Sequence, residues 1–455
     1  MCSDASGLLA SIDRRDTGKI KLVKNGKPKS ALTRTTTGSK RDLSRVAPET
    51  VDNRSLDRMP VQSRMRVEMK PQTERNRRLN GESRLRAAPA RHPHAAPLTV
   101  QEGFLQAIRR ERPPRVPVVS CISSQYICRK AGVGVKDYLF DPRIKLETQR
   151  AFQDEHPEMM LVPGIYPDFG CGVVEPSAFG CRLVQREDNP LSPEPVCPQA
   201  LRAEPGSRSI RDALDLASPD PRADGLLPRV IEQYRYFWDR LDKSYIERYG
   251  YLDGFAFAMG PVETAALVIG YENFLVGLLD FPREIHELLK RMTDFSIAWL
   301  KVQQSVNGTL KRIYLFDHTP ARVGAEHFEE FIFPYLSQVC GEFPRAIKIY
   351  HICDRQIAHV VPRFPDMGVD VLYFAADISE VKAAVGRRIC LMGNLSILEL
   401  LLRGTPQEVI AEARRCISIA ADEDGGFLLA PSGALIPGTP VENIRAIMEA
   451  ARGAT

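Results

Sequence analysis

From residue 98 onward the chain alternates short apolar runs with longer stretches in which apolar positions recur every three or four residues. Short runs of this kind read as strands and the longer stretches as amphipathic helices, so their alternation predicts a parallel βα protein. Strands are expected at 116–123, 159–163, 254–259, 312–318, 346–353, 371–376, 388–394 and 427–431. Helices are expected over 141–155, 227–249, 282–305, 325–340, 405–421 and 440–451. Eight strands, each followed by a helix, is the count of an α/β (β/α)8 TIM barrel. Asp141-Pro142, Thr405-Pro406 and Thr439-Pro440 followed by Glu442 each put a capping-type residue before proline at a helix start. One stretch, about 164–225, interrupts the rhythm. It is rich in Pro and Gly, predicts a short hairpin of 172–174 with 182–184, and reads as an insertion of the kind that forms lids.

Residues 1–97 follow no such pattern. They hold 22 Lys and Arg against 10 Asp and Glu, a net +12, so the overall +5 conceals a body of net −7. The first aromatic residue is Phe104. Such a segment buries too little apolar surface to order itself and predicts a disordered basic leader, with the barrel occupying 98–455. A nucleic-acid-binding arm and an upstream extension outside the working protein are the competing readings of the leader. Its Asp13, Asp16, Asp42 and Asp52 argue against a transit peptide. With no secretory signal, no apolar run near the ~18 residues a membrane span needs, and ten irregularly spaced cysteines, the expectation is a soluble cytoplasmic protein.

Active sites of such barrels lie at the C-terminal ends of the strands, and that rule selects residues. It picks Tyr166 and Asp168 after the second strand, Gly260, Pro261 and Glu263 after the third, and Asp317 and His318 after the fourth. It then picks His351, Cys353 and Asp354 after the fifth, Asp377 after the sixth, Asn394 after the seventh and Ser432 after the eighth. Side chains two apart on a strand point the same way, so His351 and Cys353 offer one zinc an imidazole and a thiolate. Asp317 or His318 is the expected further ligand; adjacent strand residues face opposite ways, so one of the two turns inward. Catalytic roles are expected for Asp168, Asp317 and Asn394. Tyr166, Gly260, Pro261, Glu263 and Asp377 are expected to bind substrate, Gly260-Pro261 because it opens a helix whose free N–H groups favour an anion. Acidic residues at strand ends are also frequent helix caps, which leaves Asp168 and Asp377 with a structural alternative. Cys390 reads as barrel filling.

Several ordered motifs resemble the uroporphyrinogen decarboxylase superfamily over roughly 98–451. They are Thr99-Val100-Gln101-Glu102-Gly103-Phe104 leading to Arg115-Val116-Pro117-Val118, Gly260-Pro261, and Phe331-Ile332-Phe333-Pro334-Tyr335. Met392-Gly393-Asn394-Leu395, Arg403-Gly404-Thr405-Pro406 and Thr439-Pro440-Val441-Glu442-Asn443 complete the set. The resemblance is nearest to the methylcobalamin:coenzyme M methyltransferases and other corrinoid-dependent enzymes. It implies a methyl transfer between a corrinoid and a small-molecule or thiol partner, with zinc on His351, Cys353 and a later Cys. Ala430-Pro431-Ser432-Gly433-Ala434 stands where that later Cys belongs.

The Asp-x-His-x-x-Gly of corrinoid carriers is missing from the sequence, so the corrinoid is expected on a separate protein that docks over the barrel mouth. The decarboxylase branch, which acts on a tetrapyrrole, clamps substrate carboxylates with arginines after the first strand. Here Cys121-Ile122-Ser123-Ser124-Gln125-Tyr126-Ile127-Cys128-Arg129-Lys130 lacks that motif, although Asp168 matches the branch's aspartate. Decarboxylation is the second expectation and a non-catalytic small-molecule-binding barrel the third. No membrane partner is expected, and nucleic acid only through the leader.

Overall fold

The computed structural model describes residues 98–186, 200–203, 206, 209–352 and 354–453. The leader and Cys353 therefore lie outside the described residues. Each expected strand is present: β1 Val119–Ile122, β2 Met160–Leu161, β5 Phe255–Met259, β6 Arg312–Phe316, β7 Ile347–Ile352, β8 Val371–Phe374, β9 Cys390–Leu395 and β10 Phe427–Pro431. Three more complete the order, β3 Leu183–Arg186 and β4 Ala200–Ala203 in the insertion and β11 Ala434–Leu435 after β10. The fold is a parallel (β/α)8 barrel.

Alternation along the strands separates two apolar layers. Tyr314, Phe316, Ile349, Tyr373, Met392 and Leu428 fill the barrel. Their neighbours Ile313, Leu315, Tyr350, Ile352, Leu372 and Leu391 face outward and pack under the helices. Strands buried on both faces read as continuous apolar runs, which is why they stood out in the sequence.

The ladder runs β10-β9-β8-β7-β6-β5 on one side and β11-β1-β2 on the other, joined by a parallel bridge between Val118 and Leu429. Among the described residues no ladder joins β2 to β5, and side chains serve the two strand edges instead. The helix Pro282–Asn307 supplies Gln303, whose amide accepts from the Phe257 N–H at 3.1 Å and donates to the Phe257 carbonyl at 2.9 Å. Asn307, one turn on, donates to the Phe255 carbonyl at 2.9 Å. The carboxylate of Glu175 accepts from the Met259 N–H at 2.9 Å, and the Tyr251 hydroxyl accepts from the Leu161 N–H at 2.8 Å. Backbone groups of a buried strand edge must find partners, and here they find side chains.

Local signals held at two helix starts and failed at a third. Asp141 caps Pro142–Glu155 by accepting from Arg143 and Ile144, and Thr405 forms a capping box with Glu408. Thr439 instead bonds to the Ile436 carbonyl, and the last helix, Val441–Arg452, has Pro440 at its N-cap without a side-chain bond. The expected helix 227–249 is two helices, Leu227–Arg240 and Lys243–Tyr249, because Asp242 caps the second. The expected helix 325–340 breaks at Ile332 into Ala325–Phe331 and Phe333–Glu342. The expected hairpin is corrected: Val174–Ala178 is a helix, and Leu183–Arg186 pairs antiparallel with Ala200–Ala203.

Candidate active site

His351 stands at the upper end of β7, turned into the barrel among aromatic rings. Its Nδ1 is hydrogen-bonded to the Tyr314 hydroxyl, and its Nε2 is buried with no hydrogen-bond partner. The Tyr373 ring lies 4.2 Å away, with its hydroxyl donating to the Gly433 carbonyl at 2.8 Å. His318 faces the same space, its ring perpendicular to that of His351 at 5.9 Å. Burial first, and then the neighbouring imidazole, holds His351 well below the ordinary histidine range. A neutral imidazole tied down at one nitrogen and free at the other is what a metal ligand requires. His351 therefore fits a zinc; among the described residues, no group of three His, Cys, Asp or Glu stands close enough to form a complete site.

A second polar centre follows β2. Asp168 accepts from the Gly170 N–H at 2.7 Å, the Tyr166 hydroxyl at 3.2 Å and the Tyr138 hydroxyl at 3.4 Å. Gln149 braces both tyrosines, donating to the Tyr138 hydroxyl at 2.8 Å and the Tyr166 carbonyl at 3.0 Å. Behind them Lys145 is fully buried, donating to Gln233 and the Leu139 carbonyl. Burial brings its ammonium down to about 7 against the pull of Asp168. Sequence reasoning missed Tyr138, Gln149 and Lys145, which sit on helices before the strand whose end they serve. It also missed Tyr314 and Tyr373, which lie inside β6 and β8, below the strand ends where site residues were sought.

Other expected site residues have structural tasks. Asp317 continues the outward face of Leu315, is 0% exposed, and has no partner for either carboxylate oxygen; His318 is the member of the pair that turns inward. Burial, then the charge of Glu263, pushes Asp317 well above the carboxylate range. Gly260 and Pro261 are buried, and a Cβ on Gly260 would meet Asp317 Oδ2 at 2.3 Å, so this turn is closed by its neighbour and offers no open anion cradle. Glu263 accepts from the His318 N–H at 3.0 Å and from the Thr319 N–H and hydroxyl at 2.8 and 2.6 Å. Its role is to shape the turn that presents His318. Asp377 is exposed and caps Ile378–Val385 through Ser379 and Glu380. Asn394 donates to the Ala376 carbonyl and accepts from Cys416 at 3.6 Å, which turns its amide toward the helix layer. Cys390 sits in the inward cluster, as expected of a filler.

At the seam between β2 and β5 lies a small cavity of about 20 Å³, room for about one water, lined by Tyr166, Asp168, Glu175, Phe257, Trp299 and Gln303 among others. Burial pushes the Glu175 carboxyl up to about 6, against the Met259 N–H bond. The folded chain thus holds a proton here that the unfolded chain, with an ordinary value of 4.5, has released. Stability from this group is fully present below pH 4.5 and is lost as pH rises through 6, by about 2 kcal/mol at 1.36 kcal/mol per unit. Glu175→Gln keeps an acceptor for Met259 and removes the charge. Urea unfolding should show the variant gaining about 2 kcal/mol relative to wild type between pH 4 and pH 7.5. A difference that stays constant with pH would overturn the assignment.

A family model described as uroporphyrinogen decarboxylase (URO-D) matches residues 99–454. The chain is 25% identical over 299 residues to a methylated-thiol–coenzyme M methyltransferase of Methanosarcina mazei, covering 65% of this chain and 74% of that protein. It is 24% identical over 360 residues to a uroporphyrinogen decarboxylase of Chlorobaculum parvum, covering 76% and 95%. Its fold is shared with a solved methyltransferase from Methanosarcina mazei at a TM-score of 0.63 and 19% identity, covering 78% of this chain and 99% of that one.

Proposed function

Because the chain belongs to the uroporphyrinogen decarboxylase family, whose relatives above are enzymes, we propose that it is a cytoplasmic corrinoid-linked methyltransferase. It moves a methyl group between a corrinoid held by a separate protein and a small-molecule or thiol partner. The observation that carries this reading is His351, held at Nδ1 by Tyr314 with a buried, unpartnered Nε2 facing the barrel mouth. Such a nitrogen suits zinc; Cys353 joins it on sequence position alone, and His318 is the nearby second imidazole. Zinc bound there supplies Lewis acidity that keeps an acceptor thiol as thiolate. The chain's own part is to orient His351, to exclude water with the rings of Phe316 and Tyr373, and to position the partner molecule against Asp168 and Tyr166. The corrinoid protein docks over the strand C-termini.

The decarboxylase reading draws on Asp168, buried at the mouth with two phenols as donors. Against it, the inward positions above mid-barrel offer carboxylate-bearing substrates no cation: among the described residues the arginine on an inward strand position is Arg312, at the foot of β6, where it bonds the Gly250 carbonyl. Polycarboxylates are recognised by arginine forks, so a polyanionic tetrapyrrole lacks its partners. Metal analysis separates the readings. Purified wild type should hold zinc and His351→Ala should not, and a methylated corrinoid protein mixed with a thiol acceptor should be demethylated. Equal zinc in both proteins, or CO2 release from uroporphyrinogen without metal, would sink the methyltransferase reading.

A further inference from the structure

We propose that the chain binds a small apolar carboxylate in a cavity of the helix layer, between the insertion and the helix Pro282–Asn307, apart from His351 and Asp168. The cavity has a volume of about 200 Å³. An apolar cavity of about 150 Å³ holds a benzene molecule, so this one takes a ring or a chain of about six carbons. Its walls come from two directions. Leu288, Met292 and Phe295 share one buried face of the helix, and Phe179 packs edge-on against Phe295 with ring centroids 4.9 Å apart. Leu216 closes over them from the insertion, just past the short helix Ile210–Leu214. One guanidinium enters this apolar lining. Arg291 is half-buried and donates from Nη1 to the Leu214 carbonyl, which ties the insertion to the helix. Among the described residues its Nε and Nη2 have no hydrogen-bond partner and no carboxylate stands within ion-pair distance of it. Those two nitrogens form one edge of the guanidinium, the edge that takes both oxygens of a carboxylate. Asp294, the carboxylate of the lining, is held by Lys290 at 3.2 Å, and Ser218 adds a hydroxyl. A cation would meet the guanidinium there, and a neutral molecule of the same size would leave the fork unpaired.

This site does not depend on zinc or on methyl transfer, and its test is read without either. Calorimetry on the full chain near neutral pH should show saturable binding of hexanoate, with the neutral 1-hexanol at least about tenfold weaker, since a hydrogen bond to a charged group reaches the roughly 1.4 kcal/mol that is a factor of ten. Arg291→Met keeps a long apolar side chain and removes the fork, so hexanoate should fall to the level of the alcohol while the alcohol is unaffected. That variant also gives up the bond to Leu214, so Ala298→Leu is the second. It adds bulk to the lining, leaves Arg291 in place, and should weaken acid and alcohol alike about tenfold. The inference is overturned if the alcohol binds as tightly as the acid, or if neither saturates and the cavity holds water alone. It is equally overturned if Arg291→Met binds hexanoate undiminished, or if Ala298→Leu leaves both molecules bound as in wild type. Zinc content measured on the same samples reports on the methyltransferase reading separately.

Discussion

Replacing Gln303 with Leu should lower the unfolding free energy by about 2–6 kcal/mol, because it strands two buried backbone groups at once, each worth about 1–3 kcal/mol when left without a partner. The Phe257 N–H and carbonyl face a side where, among the described residues, no strand reaches them, and the Gln303 amide is the partner of both. That loss is a large share of the 5–15 kcal/mol that holds a typical domain folded. Gln304, the next residue along the same helix, is exposed, so Gln304→Leu should stay within about 0.5 kcal/mol of wild type. Urea unfolding of the two variants side by side is the measurement. Comparable midpoints for both would mean that water, and not Gln303, serves the edge of β5.

Tyr314→Phe is expected to weaken zinc binding by about 10–100-fold while leaving the fold intact, the usual penalty for losing a group that orients a metal-bound imidazole. The phenol is the Nδ1 partner of His351 and therefore fixes which nitrogen is presented to the barrel mouth. Without it the ring keeps its contact with Tyr373 but is free to rotate or change tautomer. Tyr373→Phe is the control, since that hydroxyl bonds the Gly433 carbonyl and leaves the imidazole nitrogens alone. Titration against a competing chelator should separate the two variants clearly. If Tyr314→Phe holds zinc as tightly as wild type, His351 is oriented by packing alone.

The barrel was legible in the sequence because its strands are buried on both faces and bounded by helices with their own caps. Which polar residues belong to the site was much less legible. Asp317 and His318 are adjacent, and composition alone does not set the phase of an alternation; only the placement of Phe316 inside the barrel shows that His318 follows it inward. Asp377 and Asn394 fail for a different reason. The residue types that bind substrates at strand ends are the same types that cap helices and tie down carbonyls, and both of these are spent on the backbone. Lys145, Gln149 and Tyr138 serve Asp168 from helices earlier in the chain, at a sequence distance no motif spans. One signal was available and went unused. Trp299, Gln303 and Asn307 lie four residues apart on one buried face of a helix, and two buried amides at that spacing announce a strand edge in need of partners.

That strand edge also divides the wall of the barrel into two kinds of joint. Around most of the ring the spacing between neighbours is fixed by the ladder at about 4.8 Å. At the seam between β2 and β5 no ladder is present among the described residues, and the two edges are held by side chains, that of β5 by Gln303, Asn307 and Glu175 and that of β2 by Tyr251. A substitution there removes a side-chain partner without breaking a strand-to-strand hydrogen bond, so its cost is read in stability while the register of the ladder is left alone.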